Sequence, residues 1–154
     1  MVKPDLWLLA GLSALLGGCS TALSPKSAPG YYEASTTKPY GDVMAELELA
    51  ITERNFRITG HNKIGSVIRE RDHIPFPDYD TVQFCNLTHA RVMLEIEPAA
   101  VRYMPCNVAV RQQGGKVIVT THLLPTDSAS PELNEFAVRM NDQLKAIVDF
   151  AVEN

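Results

Sequence analysis

The feature that most constrains this chain is the run from Cys106 to His122, two alternating segments joined by Gln113-Gly114-Gly115. In the first segment Cys106, Val108 and Val110 fall on one face, with Asn107, Ala109 and Arg111 between them. That is period two, the repeat of a half-buried strand. Adjacent glycines supply the positive φ that a two-residue hairpin turn demands, so Lys116 to His122 should return antiparallel to the first strand. Such a pair must bury its apolar face under another layer. The C-terminal region offers the cover. Ser130 can cap a helix with Pro131 at its first position, and Leu133, Phe136, Ala137, Met140, Leu144, Ile147, Val148 and Ala151 then line one side.

The remaining elements fit around that frame. Tyr31 to Thr36 reads as an edge strand. A helix from about Pro39 to Arg54 turns Tyr40, Val43, Leu47 and Ile51 inward, and Asn55 can take the left-handed cap. Phe56 to Gly60 alternates as a strand does, His61-Asn62-Lys63 reads as a polar turn, and Ile64, Val67 and Ile68 mark a short helix. Pro75 and Pro77 make Asp72 to Asp80 a loop. Thr81 to Phe84 is a strand, and Asn86 caps a helix that Pro98 stops, with Leu87, Ala90 and Leu94 as its expected buried line. The expected fold class is α+β: a mainly antiparallel sheet packed against amphipathic helices in a single small domain, residues 31–154. A chain of 154 residues is long enough to bury such a core without staples.

The first residues belong to a different physics. Lys3 precedes an eleven-residue apolar run, Leu6 to Leu16, too short to span a membrane and of the right length for a signal-peptide core. It ends in Leu16-Gly17-Gly18-Cys19, which resembles the bacterial lipoprotein signal. By that resemblance residues 1–18 are removed, Cys19 is lipidated and partners the lipid bilayer, and Ser20 after it favours the outer membrane, facing the periplasm. Residues 19–30 then form the lipidated end and a flexible Pro/Ser-rich tether. Spending Cys19 on lipid leaves two thiols, Cys85 and Cys106, in an oxidising compartment. The net charge of −4 comes from interspersed carboxylates and no basic stripe is present, so nucleic acid is not an expected partner.

The two thiols sit at the junctions of strand, helix and strand, in Phe84-Cys85-Asn86 and Met104-Pro105-Cys106. These two turns, Ala90 in the helix between them, Pro98 and the Val108-Ala109-Val110 strand resemble the domain-of-unknown-function 302 family. So do the opening helix ending near Asn55-Phe56 and the closing helix after Pro131. The resemblance covers about residues 31–154 and rests on the order and spacing of short motifs. Asn55 departs from the glycine expected before the Phe, a change the left-handed backbone tolerates. The resemblance implies a small α+β domain, open to homodimer formation, and no defined activity.

The candidate ligand or thiol site is therefore Cys85, Asn86 and Cys106. No Gly-x-Ser-x-Gly elbow or phosphate-binding loop accompanies it, so no catalytic residue is assigned. His89, Met93 and Met104 lie near the thiols in sequence and raise the idea of a soft metal such as Cu(I). No Cys-x-x-Cys or His-x-x-x-His supports it, and a first-turn His is expected to be solvated; no metal or cofactor is assigned. Arg91 and Tyr103 are candidates for orienting an anion, with Arg91 expected on the solvated surface. The leading function is a non-enzymatic binding or accessory domain for an unknown small ligand or envelope protein. The alternative is a thiol-disulfide oxidoreductase or redox-sensing domain using Cys85 and Cys106, which needs at least one accessible, low-pKa sulfur.

Overall fold

Residues 30–153 are described by a computed structural model. In chain order they form β1 (Tyr31–Thr36), α1 (Tyr40–Glu53), β2 (Arg57–Lys63), α2 (Ile64–Asp72), β3 (Tyr79–Cys85) and α3 (Leu87–Ile96). A 3₁₀ turn (Pro98–Tyr103), β4 (Cys106–Gln113), β5 (Lys116–His122) and α4 (Pro131–Val152) complete the domain. The signal segment, Cys19 and the tether up to residue 29 lie outside the described residues. Among the described residues no helix is long and apolar enough to cross a membrane.

The glycine pair acts as its backbone freedom allows. Gly114 and Gly115 take φ of +59° and +75°, and β4 folds back on β5 with Gln113 opposite Lys116. Every pairing in the five-stranded sheet is antiparallel, in the order β1-β5-β4-β3-β2. The single domain is α+β.

One face of the sheet is covered. Val82 and Phe84 of β3, Val108 and Val110 of β4, and Val117 and Val119 of β5 are buried there. Val43, Leu47, Ala50 and Ile51 of α1 and the whole expected stripe of α4 meet them. The other face carries half-buried polar side chains. Across it Arg111 donates to Glu33 at 2.9 Å and to Thr120 at 3.0 Å, and Thr120 donates to Glu33 at 2.8 Å.

Three expectations need correction. Residues His61-Asn62-Lys63 continue β2 instead of turning; they pair with Val82, Thr81 and Asp80 after a bulge between Ile58 and Gly60. The bulge resets the alternation that had made these polar residues look like a loop. Helix α2 runs to Asp72, and Gly65 lets it approach the 77–79 segment: an added Cβ would lie 2.4 Å from the Pro77 carbonyl oxygen. In α3 the buried residue is Met93, while Leu87 is 83% exposed. The helix presents its His89–Met93 side to the core, one residue round from the expected stripe.

Candidate functional site

Asn86 builds the site. Its side-chain oxygen accepts from the backbone N–H of Thr88 at 2.9 Å and of His89 at 3.1 Å, the bonds that start α3. Its amide nitrogen donates to the Asn55 carbonyl at 2.9 Å, tying the helix to the left-handed turn (φ +59°) between α1 and β2. Phe56, next in the chain, packs edge-on against Phe84 with centroids 5.3 Å apart. In the first turn of α3, His89 is wedged edge-on between Phe56 at 5.8 Å and Phe136 of α4 at 6.4 Å.

These contacts border a small apolar cavity, partly open to solvent, its walls drawn from Phe56, β3, α3, the 3₁₀ segment, β4, the loop after β5 and α4. All three expected site residues, Cys85, Asn86 and Cys106, border it. Met93, Met104, Met140 and Tyr103 border it too. About 30 Å³ is open to the centre of a water-sized sphere, room for roughly two water molecules. The loop wall is held firmly: Asn141 of α4 accepts from the Leu124 N–H at 2.8 Å and donates to its carbonyl at 2.9 Å.

The register explains how the thiols meet. Phe84 lies directly opposite Cys106, so Cys106 shares the inward face with Phe84, Val108 and Val110. Cys85 is one residue further along β3, at the same end of the sheet. Both thiols are free, and no bridge joins them. Burial first, and the neighbouring Cys85 second, push the Cys106 thiol up to about 11.

His89 departs from expectation. Its Nδ1 is buried and has no hydrogen-bond partner, where a solvated first-turn residue was expected. Arg91 is exposed and stands 3.6 Å from Glu95, one turn on. Among the described residues no group of three or more His, Cys, Asp or Glu side chains is placed to hold a metal ion. Phe56, Leu124, Phe136 and Met140 were not recognised as cavity residues; α4's stripe named the last pair only as core.

A second polar cluster was also missed. His61 Nε2 lies 2.7 Å from the Asp80 carboxylate and its Nδ1 lies 3.6 Å from Glu48. Burial and the Asp80 charge beside it raise the Tyr40 hydroxyl, which donates to the Val110 carbonyl at 3.2 Å. The available signal was Asp80 itself, a carboxylate in phase with Val82 and Phe84 on the inward face of β3.

The geometry can be set beside known proteins. No curated protein matches the chain. Among solved structures, a crystal structure of an uncharacterised conserved protein, DUF302, from Bacillus stearothermophilus superposes with a TM-score of 0.70. It is 19% identical, and the match covers 80% of this chain and 99% of that one, which establishes likeness of fold. The sequence profile of the family described as "Domain of unknown function DUF302" matches residues 32–151. That span takes in every strand and helix around the cavity, and the chain therefore belongs to the DUF302 family.

Proposed function

We propose that this protein is a lipid-anchored envelope protein whose domain binds a small, largely apolar ligand, or the end of an apolar chain, without transforming it. The observation that carries the reading is the cavity: sulfur, aromatic and aliphatic surfaces around a few tens of Å³, with one buried imidazole nitrogen left unpartnered. A buried polar atom without a partner is unfavourable by about 1–3 kcal/mol, and a ligand hydroxyl or amide that met His89 Nδ1 would relieve it. The methionine side chains adapt their shape to what enters. Cys106, protonated far above neutral pH, is the opposite of the accessible thiolate that an oxidoreductase uses. The anchor rests on Leu16-Gly17-Gly18-Cys19, and the outer membrane on Ser20.

Methyl-labelled methionine reports directly on this site. Xenon or a short alcohol should shift the methyl resonances of Met93, Met104 and Met140 saturably and leave Met44 unmoved. Uniform small shifts at all four, or none, would remove the cavity as a binding site.

A further inference from the structure

A groove between two helices continues the cavity toward an unpaired cation. We propose that the ligand of this site is a single-chain amphiphile with a carboxylate head: its chain lies between α3 and α4, its end enters the cavity, and Arg139 holds its head. The proposal rests on the ligand-binding reading of the cavity and names the class of ligand.

The facing sides of the two helices build the groove. His89 and Val92 of α3 form one wall, and Phe136, Arg139, Met140 and Gln143 of α4 form the other. On α4 these positions recur three and four residues apart, which aligns them along one face. His89, Phe136 and Met140 also border the cavity, so no further layer of side chains lies between the two spaces. The residues between them can give way. The His89 ring makes no hydrogen bond among the described residues, and methionine adapts its shape through three rotatable bonds. About 340 Å³ of the groove is open to the centre of a water-sized sphere, against about 30 Å³ of the cavity. A chain therefore lies mostly in the groove and places only its end among Met93, Met104 and Met140. From Phe136 to Gln143 the helix advances about 10 Å, at ~1.5 Å per residue, which suits a chain of medium length.

Charge selects the head. Among the described residues no Asp or Glu lines either space, although acidic residues outnumber basic ones in the chain. Arg139 is the one Arg or Lys lining them; it is exposed, and it has neither an ion pair nor a hydrogen bond among the described residues. Gln143, one turn further on, has a side-chain amide likewise without a partner among them. Both border the groove and not the cavity, so the polar groups stand away from the chain end. A carboxylate fits them, because arginine receives it through two parallel N–H···O bonds.

Octanoate and octanol are the probes, matched in chain and different in head. They are titrated into the methionine-methyl-labelled full chain carrying Cys19→Ser, so that no acyl chain of its own competes. Both should shift Met93, Met104 and Met140 saturably and leave Met44 unmoved. Arg139→Gln should weaken octanoate by about threefold, the size an exposed ion pair gives, and leave octanol unchanged. Arg139→Lys, which keeps the charge, should bind octanoate more tightly than Arg139→Gln does. Added salt should weaken octanoate alone. Undiminished octanoate binding in Arg139→Gln, or an equal loss of both probes, would overturn the assignment of the head. Octanol or xenon shifts without octanoate shifts would overturn the proposal and leave the cavity reading standing. Failure of all three probes would remove the cavity reading, and the proposal with it.

Discussion

At Cys106, burial couples one proton to the stability of the domain. Its thiol rises from the ordinary 9.0 to about 11 because the folded protein disfavours the thiolate. The neutral thiol is thus favoured by folding: the contribution is complete below pH 9 and disappears as pH climbs through 11. Two pH units correspond to about 3 kcal/mol. Urea titrations below pH 9 and near pH 11 should show the parent chain losing more stability over that interval than Cys106→Ala does. Tyr40 is shifted upward as well, in both proteins, so the difference between them isolates the thiol. Equal alkaline losses would mean that Cys106 is not buried as described. Asn86 gives a second test. Asn86→Ala removes the helix cap and the link to Asn55, and should lower stability by about 1–2 kcal/mol in denaturant melts, with the cavity methionines shifting together. Its position before a periodic run was enough to assign the cap; its grip on Asn55 was not, because that bond spans residues far apart in sequence.

At the scale of elements, α3 shows where sequence periodicity is decisive and where it is not. The stripe of α4 is long enough to fix one face, and every residue assigned to it is buried. Helix α3 has only ten residues and several apolar positions, so two neighbouring stripes compete. Leu87 belonged to the wrong one. Leu87→Ala should therefore change stability by less than about 0.5 kcal/mol, while Met93→Ala should lower it by about 2–5 kcal/mol. Comparable losses at the two positions would contradict the rotation of α3. Strand β2 was shortened for a related reason: the bulge puts polar residues out of phase, and its one local signal, Gly60 inside a strand pattern, was taken as the strand's end. The β4–β5 hairpin was legible because turn glycines and alternation agree. The candidate site was legible as two thiols and a cap, since those lie in one continuous run. Its aromatic and methionine walls were not, because α1's end, the loop after β5 and α4 come together only in the folded sheet.

Taken whole, the molecule is a sheet with one covered face and, by the sequence reading, a lipid at the end of a tether. Cys19→Ala should leave unprocessed precursor and abolish acyl labelling; continued labelling would remove Cys19 as the attachment point. The order of strands gives that tether a direction. Tyr31 pairs with His122, and the Gly30 carbonyl accepts from the Leu123 N–H at 2.7 Å. Following the registers across β5 and β4 leads to Phe84 and Cys106, so the chain enters at the end of the sheet that holds the cavity. Gly30 lies eleven residues after Cys19, at most about 40 Å of extended chain, comparable to one bilayer thickness. A domain hung in this way is suspended by the end that holds its cavity. Under the proposed lipid anchor, an apolar molecule leaving the bilayer would meet the cavity end first, and the short leash would limit how far from the membrane the cavity could reach.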